Sequence, residues 1–188
     1  MAANLTLSLV EYNFLVNPGF EEGDTGWTVT DLRKADELYV EEKATDSLSE
    51  KKYLHLWSAA PYSVEFTAEQ QVMDLPAGQY RYSVSIMGGD CGETNVYAYV
   101  KVDGETVVTA PMRITSFGSW DTASVPVFSC EAGQSVAVGI YVQCQGTGSG
   151  AWGKIDDAVL RQYRTIRRQH LRRILHDLLP AKISIYRQ

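Results

Sequence analysis

The sequence is poor in the residues that catalysis most often uses. It has three histidines and three cysteines in 188 residues, and only His55 lies before residue 160. One histidine on a strand beside Leu56 is a half-buried spacer or a groove partner, not the base of a Ser/His/Asp triad. Cys91, Cys130 and Cys144 are too few and too unevenly spaced for a disulfide scaffold or a zinc site. There is no phosphate-cradling glycine loop. Acids are plentiful, but none stands in the context of a glycosidase nucleophile or proton donor, so no turnover is expected. No apolar run reaches membrane-spanning length, and the opening Met1-Ala2-Ala3-Asn4 lacks the basic region of a secretory signal. The missing signal does not assign the chain to the cytoplasm; a secreted or cell-surface home stays open.

Positive charge is scarce in the same stretch. Residues 1–160 carry nine Lys and Arg against 22 Asp and Glu, a net −13. Such a body repels phosphate backbones and anionic lipid, so neither nucleic acid nor membrane is an expected partner. Residues 161–188 reverse the sign, with eight basic residues against Asp177. There Ile166, Leu171, Ile174, Leu175, Leu178 and Leu179 recur at helical spacing until Pro180. This end reads as a basic amphipathic tail, a linker or a non-native extension at 162–188, helical or disordered.

What is present is β-forming. Eleven tyrosines, four tryptophans and fifteen glycines accompany many Val, Thr and Ser residues, and a 45% hydrophobic chain of this length supports one domain, 1–161. Alternation predicts an all-β fold, a two-sheet antiparallel β-sandwich of the jelly-roll type. Residues 5–16 read as an initial strand pair, closed by a turn at Asn17-Pro18-Gly19. Strands follow at 27–30, 37–41, 53–57 and 65–75, with a loop at 44–52. In 79–87, Tyr80, Tyr82, Val84 and Ile86 face the core, and Arg81, Ser83, Ser85 and Met87 line a solvent-facing groove.

Further along, Val96, Ala98, Val100 and Val102 oppose Tyr97, Tyr99 and Lys101, and Asp103-Gly104 signals a hairpin. A second hairpin is expected about Glu131-Ala132-Gly133-Gln134, leading into Val136, Val138, Ile140 and Val142 inward with Tyr141 and Gln143 outward. The last strand is Lys154 to Arg161. Cys91 and Cys144 each stand just past a strand, so a bridge forms if those strand ends are neighbours; otherwise all three cysteines are small half-buried thiols.

Several stretches resemble carbohydrate-binding modules of the galactose-binding-like jelly-roll type: Asn17-Pro18-Gly19-Phe20-Glu21 with Gly26-Trp27, Leu75-Pro76-Ala77-Gly78-Gln79-Tyr80-Arg81-Tyr82-Ser83, and Trp152-Gly153-Lys154-Ile155-Asp156-Asp157-Ala158. The segments His55 to Tyr62, Ile86 to Asp90 and Val96 to Glu105 resemble family 61 modules attached to family 53 endo-β-1,4-galactanases. The resemblance spans roughly residues 12–161. It implies a monomeric, non-catalytic module that holds β-1,4-galactan or a related β-glycan and keeps an attached hydrolase on its polysaccharide. The alternative from another class is a structural or adhesion sandwich whose tyrosines serve a protein interface.

The resemblance also implies a structural Ca2+. Calcium takes about six to eight oxygen ligands; Glu21 and Asp157 match the positions of side-chain ligands, with carbonyls from around Gly19 and the loop Asp46 to Lys52. Sugars pair flat C–H faces with aromatic rings and hydroxyls with planar polar groups. The candidates are Trp57, Tyr62, Tyr97, Tyr99, Tyr141 and Trp152, with Arg81, Asp90, Asn95, Lys101 and Gln143. Trp27 and Trp120 are expected beneath loops; for Trp57 and Trp152 the sequence leaves core and surface equally open.

Overall fold

The computed structural model describes residues 12–163. Among these it has eleven strands and no helix: β1 (Thr28–Asp31), β2 (Glu37–Glu42), β3 (Lys52–Ser58), β4 (Ser63–Val72), β5 (Gly78–Gly89), β6 (Cys91–Val102), β7 (Glu105–Pro111), β8 (Asp121–Ser124), β9 (Phe128–Cys130), β10 (Val136–Gly146) and β11 (Ala151–Gln162). One sheet has the order β1-β4-β10-β6-β7. The other runs β2-β3-β11-β5-β8, with β9 also on β5. Every pairing is antiparallel.

Alternation sets the layers. Val136, Val138, Ile140 and Val142 of β10 and Val96, Ala98 and Val100 of β6 point into one core with Tyr80, Tyr82, Val84 and Ile86 of β5 and Leu54 and Leu56 of β3. All are buried. Each Val, Leu and Ile among them contributes about 1.5–3 kcal/mol on leaving water, which is what fixes the register of both sheets. The Tyr80 hydroxyl donates to the carbonyl of Pro76 at 2.7 Å, so its polar end has a partner in the core.

The Asn17-Pro18-Gly19-Phe20-Glu21 motif is a folded staple. Asn17 and Phe20 take left-handed backbone angles. The Asn17 side chain donates to the carbonyls of Gly23 and Thr25 and accepts from the Glu22 N–H. Trp27 donates its indole N–H to the Asn17 carbonyl at 3.0 Å and stacks on Phe20, ring centroids 5.1 Å apart. Trp27 is buried, as expected.

Three expectations need revision. The strand pair at 5–16 is absent where it can be judged: residues 12–16 form no strand, and 5–11 lie outside the described residues. Asn13 and Phe14 instead bond to the closing strand, Phe14 N–H to the Leu160 carbonyl at 2.9 Å, while β1 pairs with β4 in the other sheet. The turn at 131–134 joins β9, on β5, to β10, on β4 and β6, so it crosses between sheets and is no hairpin. Ser85 and Met87 are buried, because Thr122 bonds Ser85 and the loop before β8 covers Met87, whose sulfur accepts from the Gly118 N–H at 2.9 Å. The tail at 164–188 lies outside the described residues. Cys91 and Cys144 form a disulfide between the neighbouring strands β6 and β10, their Cα atoms 5.6 Å apart.

Candidate functional site

The outer face of the six-stranded sheet carries an aromatic patch. Trp57 of β3 and Trp152 of β11 are cross-strand partners, and Trp152 is in turn opposite Gly89 of β5. Both indoles are half-buried. A Cβ on Gly89 would stand 2.8–3.0 Å from three atoms of the Trp152 ring, so this glycine is the seat of the indole. Phe117, 63% exposed, lies 6.2 Å from Trp152 between ring centroids. Its loop is held by the Arg113 N–H on Asp121 at 2.6 Å and by Gly118 on Met87.

Charge is arranged beneath this patch. Lys154 is buried, pairs with Asp46, and lies 4.8 Å from the Tyr53 ring and 5.3 Å from the Phe117 ring. Burial opposes ionisation of Asp46, but the bonds from Lys154 and Lys43 outweigh it and hold the carboxyl well below the usual range. His55, in register with Lys154, is gripped between Glu37 at 3.0 Å and Glu41 at 3.3 Å. Asp90 lies at the same end as Trp152, in a turn closed by the Thr147 N–H on its carbonyl and by Ser149 on its carboxylate. Tyr62 shares that end, its carbonyl accepting from Gly146.

The other tyrosines are on the opposite face of the sandwich. Asn95, Tyr97, Tyr99 and Lys101 of β6 and Tyr141 and Gln143 of β10 share the outer face of the five-stranded sheet. Tyr97 and Tyr141 stack on each other, centroids 5.0 Å apart. The Tyr141 hydroxyl donates to Glu65 at 2.9 Å; Tyr99 and Lys101 both reach Glu69. Tyr99 is only 4% exposed, because it lies across Gly139, where a Cβ would meet its ring at 2.6 Å. Burial, and then the Glu69 charge, push its phenol well above the ordinary range. These groups satisfy one another. The sequence candidates therefore divide: Trp57, Trp152, Tyr62 and Asp90 gather at one end, whereas the β6 and β10 set is separate. Arg81 belongs to neither cluster. It is on the outer face of the six-stranded sheet but eight residues along β5 from Gly89, roughly 26 Å at strand rise, beside Tyr163.

At the β11 bulge the acidic motifs meet one loop. The Asp157 carboxylate accepts from Ser49 Oγ at 2.6 Å, and Glu21 accepts from the Lys51 and Lys52 N–H groups at 2.8 and 2.6 Å. The Pro18 carbonyl accepts from the Ala158 N–H. Gly19 packs here too: a Cβ on it would be 3.4 Å from Asp156 and 3.8 Å from Asp157. Asp156 is fully buried and accepts from Leu48, Ser49 and Asp157 N–H groups. Burial, and then the Asp157 charge, push its carboxyl up to about 7. The donors are all oxygen, which fits a hard cation such as Ca2+. Among the described residues no group of three or more His, Cys, Asp or Glu side chains is arranged for a metal, so carbonyls and the Ser49 hydroxyl would have to complete such a shell.

Phe117 and Gly89 escaped the sequence reading. Phe117 sits in a loop without periodicity; Gly89 falls in Gly88-Gly89-Asp90-Cys91-Gly92, which reads as a glycine-rich loop, whereas the structure carries β5 through Gly89 and starts β6 at Cys91.

Among solved structures, the chain aligns with TmCBM61, a carbohydrate-binding module in complex with β-1,4-galactotriose, at 25% identity and TM-score 0.69, covering 81% of this chain and 99% of that one. The resemblance to family 61 modules holds in three dimensions. The fold also matches the CBM22-1 xylan-binding domain of Paenibacillus barcinonensis Xyn10C, at 17% identity and TM-score 0.52, over 85% of this chain and 100% of that one. A third match is the CBM22-1 and GH10 portion of Clostridium thermocellum Xyn10B, at 14% identity and TM-score 0.54, over 84% of this chain and 30% of that one. No family model matches the sequence, and no curated protein does either.

Proposed function

We propose that this chain is a non-catalytic module that binds β-1,4-galactan on the outer face of its six-stranded sheet. The observation that carries the proposal is the Trp57–Trp152 pair, two half-buried indoles side by side with Phe117 beside them and Asp90 at the rim. Indole faces suit the C–H faces of a pyranose, and neighbouring carboxylate, imidazole and amide groups suit its hydroxyls. Galactan is chosen over other β-glycans because the family 61 neighbour was solved with galactotriose. The five-stranded face is the weaker choice, since its tyrosines and acids already bond to each other.

Three further assignments accompany this reading. A structural Ca2+ is held by Asp157 and Glu21 with oxygens from Gly19 and the loop at 46–52; it would pin the start of the body to its closing strand. The module serves an attached glycoside hydrolase, raising its effective concentration on plant-wall polysaccharide. The protein is a secreted or cell-surface monomer, a location that suits the Cys91–Cys144 disulfide.

Affinity electrophoresis in gels containing galactan, arabinan, xylan or no polysaccharide tests the ligand. Retardation by galactan alone is expected. Migration unchanged in every gel would end the proposal.

A further inference from the structure

A depression of about 390 Å³ is lined by Arg33, Lys34, Asp36, Ser58, Tyr62 and Ser63. Trp57 and Ser58 are the last two residues of β3, so the pocket lies at the same end of the sandwich as the indoles, although neither indole lines it. It brings two consecutive cations to a body whose first 160 residues are otherwise strongly acidic.

The pocket is held open by its own backbone. Asp31 accepts from the Arg33 N–H at 3.2 Å and the Ala35 N–H at 2.9 Å, and Lys34 between them takes a left-handed φ of 54°. Asp36 accepts from Ser58 Oγ at 3.2 Å and the Ala59 N–H at 2.8 Å, tying this loop to the β3–β4 turn. Both pocket-side acids are therefore engaged: Asp36 with Ser58 and Ala59, and Glu65 with Arg33 and Tyr141. The Arg33 hydrogen bond, followed by that of Tyr141, lowers the Glu65 carboxyl below its ordinary range.

Open donors are what remain. Arg33 is bound through Nε alone, leaving its terminal nitrogens, and its side chain is 53% exposed. Lys34 has no hydrogen bond or ion pair with the described residues. Tyr62 is 68% exposed, and its main chain is fixed at both ends, N–H on the Ala59 carbonyl and carbonyl to Gly146.

We infer that this pocket is a subsite for a carboxylated sugar, a hexuronate residue. Its volume suits one or two monosaccharides, near the low end of ligand pockets at about 300 Å³. The guanidinium edge and the Lys34 ammonium would accept the carboxylate in charge-assisted hydrogen bonds, the Tyr62 ring would take the C–H face, and Ser63 would serve a hydroxyl. A neutral sugar would leave the Lys34 ammonium and the terminal nitrogens of Arg33 to water, since Glu65 engages Arg33 through Nε alone. The inference rests on the reading of the chain as a carbohydrate-binding module and extends it to an acidic residue in or beside the glycan.

Isothermal titration of the full chain with trigalacturonate, its methyl ester and neutral β-1,4-galactotriose tests the assignment. The free acid is expected to bind at least about tenfold more tightly than the ester and to weaken as salt rises. Lys34→Gln should lower acid affinity by about tenfold while leaving galactotriose affinity unchanged; Trp57→Ala should do the opposite. Equal binding of acid and ester, or an unchanged acid affinity in Lys34→Gln, overturns the subsite without touching the galactan reading. Loss of galactotriose binding by the wild type, with the acid still bound, overturns the galactan reading instead.

Discussion

Gly89→Ala separates the fold from the binding face. The new methyl would sit 2.8 Å from Cζ2 and 3.0 Å from Cε2 and Nε1 of Trp152, several tenths of an ångström inside ordinary contact. The backbone at Gly89 is ordinary strand, so the ring and not the main chain must give way. Overpacking of this kind costs about 1–3 kcal/mol, and at ~2–4 °C per kcal/mol for a domain of this size the melting temperature should fall by about 3–10 °C. Binding should suffer more. If a pyranose covers roughly 70 Å² of indole, at about 25 cal/mol per Å² the stacked ring contributes ~2 kcal/mol, or about 20–30-fold in affinity. Tilting the indole removes much of that, so titration with galactotriose at 10 °C, where the variant is folded, should show at least a tenfold loss. Wild-type affinity in a folded Gly89→Ala protein would refute the assignment of Trp152 to the ligand.

Other outcomes follow from the same contacts. Lys154→Met should destabilise the protein by about 3 kcal/mol, since it leaves Asp46 buried with Lys43 as its one remaining ion-pair partner beside the Thr45 hydroxyl; chemical denaturation measures it. Because the folded Asp46 carboxyl is held below its unfolded value, the pair's contribution is full above about pH 4 and is lost as pH falls through the folded value. The wild-type melting profile should thus drop more steeply in acid than that of Lys154→Met; parallel profiles would contradict the pairing. Reduction of Cys91–Cys144, which closes a loop of sequence separation 53, should lower the melting temperature by ~5–15 °C, from about 2–4 kcal/mol of chain entropy. Chelation should lower it by ~5–10 °C if Ca2+ was present at about 100 times its Kd, worth ~2.7 kcal/mol, and Asp157→Asn should abolish that response; an EDTA-insensitive melt would remove calcium from the account.

Alternation in the long strands was readable because burial on one face forces a period of two. Hence the inward Val and Ile rows of β10 and the tyrosines of β5 were placed correctly from sequence. Contacts between remote segments were not. Ser85 and Met87 alternate as solvent-facing residues do, yet Thr122 and Gly118, more than 30 residues away, cover them. The turn at 131–134 has the composition of a hairpin, and composition carries no record of which sheet receives the next strand. Tyr99 lies on the outward row as read, but Gly139 on the adjacent strand lets its ring lie down and be buried. The site splits for the same reason: outward aromatics on β3 and β11 and on β6 and β10 look alike in sequence and stand on opposite faces of the sandwich.

The most direct test of the central claim is a crystal structure with β-1,4-galactotriose. The trisaccharide is expected on the outer face of β3 and β11, a pyranose ring against Trp57 or Trp152 and Phe117 within contact. Density over Tyr97 and Tyr141, with those indoles bare, would contradict it.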